Sequence, residues 1–255
     1  MASGFECTEP GKQLPSDWKH SWPFKLCELF QSHGHNLSKP GQSNWSILVN
    51  TQAVISRSLK DFRPDEIMVV IGWTEFTRSE FISDSELYYF NAGFNQRATN
   101  GTLEEKLKQT NVQNAYKGWV EQSIDGHMSK FAWTYWNLIH FLKVYDIKYY
   151  FFNAIAQPYI PKKDLLLSAY LDKETFTESW DTLFNDPNYN TTETQFDWLT
   201  KNYPNHIVGD GTGQHHWNPE ALTAWTEYLA PRILDCWARN TGNGRSYRKK
   251  NAGVA

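Results

Sequence analysis

No sign of charge dominates this chain: 25 lysines and arginines stand against 28 aspartates and glutamates, for a net charge of −3. A field that weak argues against a chain-wide affinity for nucleic acid or an acidic membrane surface. Cysteine is scarce as well. Cys7, Cys27 and Cys236 are odd in number and lack metal-ligand spacing. That excludes a disulfide framework or a zinc site as the organising device and points to a reducing compartment. No apolar run approaches the length of a membrane span, and the opening "MASGFECTEPGKQLP" carries no apolar core of a secretory leader. A cytoplasmic protein is therefore expected, with no membrane association. The four N-x-S/T sequons at Asn36, Asn44, Asn100 and Asn190 mean little without secretion. Internal repeats, long low-complexity linkers and any cofactor or metal motif are missing too.

What is present is globular. The chain has 255 residues and is 40% hydrophobic, enough to bury a substantial core. Its 12 tryptophans could form stacking surfaces for sugars or bases, but large aromatics are core material first. "NWSILVNTQAVISRSLKDF" places Leu48, Ile55, Leu59 and Phe62 on one helical face. "EIMVVIGW" and "IKYYFFNAI" are continuous apolar runs of the kind found in buried parallel strands, and "HIVG" reads as a shorter strand. Between the long runs, Ile124, Met128, Phe131, Tyr135, Leu138, Leu142 and Tyr145 keep spacings of three and four, which predicts a long helix. A last helix is predicted from Asn218 as N-cap and Pro219 at its first position, with Leu222, Trp225, Leu229 and Ile233 as its apolar stripe.

Strands alternating with helices imply a three-layer α/β/α sandwich around a mainly parallel sheet. We read residues 1–240 as a single domain. The polar stretches at about 88–117 and 158–203 read as irregular insertions over the sheet's edge, and 241–255 as a mobile basic tail.

Ligands of such sheets bind beyond the carboxyl ends of the strands. Four stretches fall there: "GFECTEP", "KPGQSNW", "IGWTEFTRSEF" and "GQHHWNP". Together they resemble the SGNH (GDSL-type) hydrolase superfamily, and more narrowly the SGNH-like proteins common in tailed phages. Those proteins show a Gly-Cys-Ser-Phe-Thr-Asp-Pro opening, a Pro-Gly-x-Ser-Asn turn, an "IGWT…R.E" strand end and a final His-x-Asn-Pro-Glu-Ala turn. The resemblance touches both ends of the chain and roughly its first third. It implies a flavodoxin-like sheet and an esterase-type site, with a serine nucleophile in the first motif, oxyanion donors in the next two, and an Asp and a His three residues apart in the last.

Carried over residue by residue, the resemblance gives an uneven site. Gly4 falls on the family glycine and the nucleophile position falls on Glu6, with Cys7 adjacent. A short central strand is expected over about Ala2 to Phe5. Gly41 matches the backbone oxyanion donor, Asn44 closes the turn and adds to the oxyanion site, and Thr74 stands where the superfamily has its asparagine. Arg78 and Glu80 match a charged pair that reads as a structural ion pair at the strand end. His216 takes the place of the catalytic base, followed by Trp217, while His215 reads as structural. The expected Asp position is Gly213, and Asp210 is the nearest carboxylate upstream.

Two functions follow. One is an SGNH-like protein with a degenerate site that lacks ordinary serine-esterase activity and acts as a ligand-binding or virion-associated component of an infected cell. The other is a hydrolase of an ester, for example of an O-acetylated carbohydrate, in which His216 and Glu6 activate water and Asp210 assists. A small-molecule or carbohydrate ester and virion proteins are the expected partners. Nucleic acid, membrane, metal and cofactor are not.

Overall fold

The computed structural model describes residues 21–38, 42–83, 86–90, 114, 124–158, 173–208 and 216–241. In chain order these form α1 (Trp22–Phe30), α2 (Asn44–Ser58), a 3₁₀ turn (Pro64–Glu66), β1 (Met68–Trp73), β2 (Ser79–Ser83) and β3 (Glu86–Phe90). There follow α3 (Ile124–Val144), β4 (Lys148–Asn153), α4 (Lys173–Asn185), β5 (Tyr189–Asn190), α5 (Gln195–Asn202), β6 (Ile207–Val208), β7 (His216–Trp217) and α6 (Pro219–Thr241).

The two apolar runs pair with each other. β1 and β4 lie parallel over their whole length, from Met68 opposite Lys148 to Trp73 opposite Asn153. β5 adds a parallel third strand at Phe151–Tyr189 and Phe152–Asn190, so the order is β1-β4-β5. The central strand β4 has a partner on each edge and is buried at every position, which is why its sequence does not alternate. Consecutive side chains still point to opposite faces. Phe151 enters a core built with Trp73, Leu48 and Ile55 of α2, Met128, Phe131, Tyr135 and Leu138 of α3, and Leu183 of α4. Phe152 enters a second core with Trp22 and Leu26 of α1, Leu199 of α5, and Leu222, Trp225 and Leu229 of α6. The result is a small three-stranded parallel sheet packed against helices, with one core on each face.

The last helix forms as its sequence dictates. The Asn218 side-chain oxygen accepts the Ala221 N–H at 3.0 Å, Pro219 fills the first position, and all four residues of the stripe are buried. The α3 stripe holds from Met128 to Leu142 but fails at its last position. Tyr145 lies beyond the helix and is 41% exposed, because Asp146 takes a left-handed backbone (φ 57°) and the Ile147 N–H donates to Leu142 O at 2.9 Å.

Two other sequence expectations are corrected. The "HIVG" strand exists, but it pairs antiparallel with β7, Ile207 opposite Trp217, and stays outside the parallel sheet. The stretch read as an irregular insertion at 158–203 contains α4, β5 and α5 over 173–202, and it supplies the sheet's third strand. Two strand residues are too few to carry a period. The stretch 88–117 lies outside the described residues apart from the end of β3 and Asn114, and the basic tail beyond Thr241 and the strand expected near Ala2–Phe5 lie outside them entirely.

One carboxylate joins three elements. Asp186, between α4 and β5, accepts the Tyr135 hydroxyl of α3 at 2.9 Å and the Tyr149 hydroxyl of β4 at 2.8 Å on one oxygen. Its other oxygen accepts the Asn188 N–H at 2.8 Å. Burial, reinforced by the Asp186 charge, raises the pKa of both tyrosines, so they act as donors throughout the neutral range.

His127, buried in the first turns of α3, gives the fold a pH dependence. Burial pushes its pKa down from 6.5 to about 4, and the nearby Lys130 charge adds to the shift. The folded state therefore refuses a proton that the unfolded chain accepts. As pH falls from the unfolded value through the folded one, the unfolded state binds more protons and stability drops. The expected loss between pH 6.5 and 4 is on the order of 2 kcal/mol, after discounting for partial screening. Urea titrations at a series of pH values check this: His127→Gln flattens the slope in that window, and an unchanged slope excludes His127 as its source.

Candidate functional site

The carboxyl rim of the parallel sheet is assembled from the ends of β1, β4 and β5 and from the starts of the elements that follow. α2 approaches it with its N-terminus, where the Ser43 hydroxyl accepts the Ser46 N–H at 3.2 Å as the cap. This cap sets Asn44, 5% exposed, directly against the end of β1. Its amide oxygen accepts the Thr74 N–H at 2.9 Å and its amide nitrogen donates to Thr74 O at 3.1 Å. The side chain thus behaves like a missing neighbour strand, satisfying both backbone groups of the first residue past β1. The second amide proton of Asn44 takes no part in this clamp.

Replacing Asn44 by alanine strands both groups of the half-buried Thr74 backbone. The expected cost is about 2 kcal/mol. Asn44→Asp keeps the acceptor but turns the former donor into a negative charge facing Thr74 O, so it is expected to cost at least as much. Denaturant titration measures both. A change within experimental error in Asn44→Ala would show that the clamp does not hold the rim.

A ladder of backbone bonds runs across the rim from there. The Ala154 N–H, just past β4, donates to Trp73 O at 2.7 Å, and the Phe196 N–H at the start of α5 donates to Ala154 O at 3.0 Å. The Phe196 ring then meets Trp217 edge-on at 6.2 Å. At the last residue of β4, the Asn153 side-chain oxygen accepts the hydroxyl of Tyr189, the first residue of β5. Thr194 caps α5 by accepting the Asp197 N–H at 2.9 Å. With its amide turned to satisfy both ends, Gln157 donates to Thr191 O at 3.2 Å and accepts the Glu193 and Thr194 N–H groups at 3.1 and 3.2 Å.

The final motif enters through the β6–β7 hairpin. The His216 backbone pairs with Val208, and its side chain lies outside the described residues. Trp217 is 0% exposed and belongs to the core beneath the rim. The Asn218 N–H donates to His206 O at 3.0 Å, and the Asn218 amide nitrogen lies 3.1 Å from His206 Nδ1, which is also 3.5 Å from Glu220 Oε2. His206 was not singled out by sequence reading. It stands just ahead of a two-residue strand with no recognisable neighbours.

Of the residues selected from sequence, Asn44 and Thr74 are brought into direct contact, and Trp217 lies below the same rim as packing. Glu6, Cys7, Gly41, Asp210 and His215 lie outside the described residues. Arg78, read as half of a structural ion pair, forms no ion pair among the described residues, and the Glu80 side chain lies outside them. Several buried donors on the rim have no hydrogen-bond partner: Arg78 Nε, Asn190 Nδ2 and Gln195 Nε2, together with the Thr74 hydroxyl. Periodicity and motif matching cannot detect a missing partner, so sequence reading passed over Asn190 and Gln195 and named Thr74 and Arg78 for other reasons. Among the described residues, no group of three or more His, Cys, Asp or Glu could hold a metal ion, and no helix is long and apolar enough to cross a membrane. Comparison with protein-family models, curated proteins and solved structures gives no match.

Proposed function

We propose that this chain is an SGNH-hydrolase-like protein, with a flavodoxin-like sheet in a three-layer sandwich, that has lost serine-esterase chemistry and uses the cleft at the strand ends to bind a ligand. Its setting is a phage-infected cell or the virion. The observation that carries the reading is the Asn44–Thr74 clamp. Two stretches of the resemblance, the Pro-Gly-x-Ser-Asn turn and the "IGWT" strand end, lie far apart in sequence and meet at the rim where such sheets bind ligands.

Loss of turnover follows from the residues at the reacting positions. Acyl transfer through a covalent intermediate needs a hydroxyl or thiol beside a base. The nucleophile position carries the Glu6 carboxylate, and the position of the orienting Asp carries Gly213. A cleft that keeps its rim but not its nucleophile binds without turning over.

The retained His-Trp-Asn-Pro turn, with Asn218 capping α6, favours the competing reading, in which His216 and Glu6 activate water for direct ester hydrolysis. Assays with p-nitrophenyl acetate separate the two. The expected result is hydrolysis no faster than buffer, unaffected by His216→Ala or Glu6→Ala. Turnover that both substitutions abolish would replace the binding role with the hydrolase.

A further inference from the structure

The turn that leaves β1 is closed by the Arg78 N–H donating to Glu75 O at 3.2 Å, and it carries a cation in an unusual setting. Arg78 Nε is shut off from solvent without an acceptor. Glu75 favours the charge through its field, but it is not within ion-pair distance, and burial outweighs it, lowering the guanidinium pKa. One residue past the strand, the Thr74 hydroxyl is also buried without a partner, because Asn44 engages the Thr74 backbone and leaves the side chain aside. The pattern repeats in the amide nitrogens of Asn190, at the end of β5, and of Gln195, at the start of α5.

A buried polar atom without a partner costs about 1–3 kcal/mol, so four of them along one edge form an arrangement that folding alone does not favour. The imbalance also has one sign. Three of the four are N–H groups that can only donate, and the fourth is a hydroxyl that donates as readily as it accepts. Among the described residues, these four atoms lack acceptors. A neutral acceptor would satisfy the amides, but the guanidinium selects for negative charge.

We propose that the carboxyl rim of β1 is an oxyanion-binding site in which the Arg78 guanidinium and the Thr74 hydroxyl hold a carboxylate or phosphate group of a small molecule. Asn44 positions the site by fixing the Thr74 backbone. The amides of Asn190 and Gln195 extend the donor surface along the edge and favour a ligand whose remainder is also rich in acceptors. The inference rests on reading this rim as the ligand-binding edge. It does not depend on the resemblance to a hydrolase.

The test titrates the full-length protein with sodium phosphate and, separately, sodium acetate, each against sodium chloride at matched ionic strength. The readouts are the melting temperature and the backbone amide shifts of Thr74 and Arg78. Saturable binding of one or both anions is expected, and the arm that saturates tells phosphate from carboxylate. Arg78→Gln is expected to lose the saturable response. Arg78→Lys, which keeps the charge but not the fork, is expected to weaken it by about tenfold. Thr74→Val, close in shape, is expected to raise the melting temperature of the free protein while weakening the anion several-fold, about 2- to 10-fold. This variant carries the test if Arg78→Gln fails to fold. A chloride-like response in the wild type, or saturable binding undiminished by Arg78→Gln and by Thr74→Val, overturns the site. Ester turnover dependent on His216, together with anion binding lost in Arg78→Gln, would overturn the proposed function and leave the anion site standing.

Discussion

Asp186→Ala is expected to lower the free energy of unfolding by about 4 kcal/mol, because the carboxylate accepts three hydrogen bonds and its removal strands their donors. The Tyr135 and Tyr149 hydroxyls belong to the helix and the strand at the centre of one core, and the Asn188 N–H sits in the turn that starts β5. Bonds to an ionised acceptor are worth about 1.5–3 kcal/mol each, and three that share one carboxylate do not add in full. Asp186→Asn retains one oxygen but presents amide protons to a hydroxyl that must donate, so about half of the loss is expected to remain. Urea denaturation followed by circular dichroism gives the comparison. A loss below about 1 kcal/mol in Asp186→Ala would mean that packing alone seats β5. The same joint explains why a strand of two residues persists at all: β5 is held from its near end by Asp186 and from its far side by the Tyr189 bond to Asn153.

Trp217→Ala is the second large effect, with an expected cost of about 4 kcal/mol, whereas Trp217→Phe is expected to cost only about 1 kcal/mol. The indole is fully buried and packs on Phe196, whose backbone closes the rim ladder. Alanine leaves a cavity that the surrounding aromatics, restrained by the helices on that face, cannot fill. Phenylalanine keeps most of the volume and also removes an indole N–H that has no partner, which offsets part of the packing loss. The contrast matters for function because Trp217 lies between His216 and the Asn218 cap. A tryptophan that contributes packing marks the motif's second half as scaffold. If Trp217→Phe proved as damaging as Trp217→Ala, the N–H would have a role that the packing account does not contain.

The parts of the fold that were legible in the sequence are those with a period or a capping rule. β1 and β4 stand out as unbroken apolar runs because parallel strands are covered on both faces. α3 and α6 stand out because their stripes recur every three or four residues, and Asn218-Pro219 marks where α6 begins. β5 was not legible, since Tyr189 and Asn190 have no pattern of their own and become a strand only because Asp186 and Asn153 hold Tyr189 against β4. α4 was missed for a related reason: among its described side chains only Ser179, Trp180 and Leu183 are buried, and polar residues dominate its sequence. The "HIVG" segment reads as a strand, but the edge it pairs with is decided by β7, not by its own residues.

The candidate site divides in the same way. Two stretches of the resemblance placed Asn44 and Thr74 separately at the strand ends, but the pair of bonds between them was not legible in the sequence. Arg78 was visible as a charge, and its expected partner Glu80 has a side chain outside the described residues. An ion pair in sequence is an inference from proximity along the chain, and Arg78 and Glu80 lie on either side of the turn's exit, where side-chain direction is not fixed by spacing. Asn190 and Gln195 carry no signal until the bonds around them are counted.

The proposed function requires that the start of the chain and the histidine-bearing turn before α6 share the rim of β1. Cross-linking tests it most directly. Cys27→Ser removes the half-buried thiol, Cys236 is shielded in the core, and His215→Cys adds a thiol beside the motif, leaving Cys7 as its reactive counterpart. A bismaleimide spanning two strand spacings, roughly 10 Å, is then offered at low protein concentration. Capture of both thiols by a single linker within one chain is the predicted product. Two separate linkers on every molecule, one on each thiol, would mean that the two ends of the sequence do not meet on that rim.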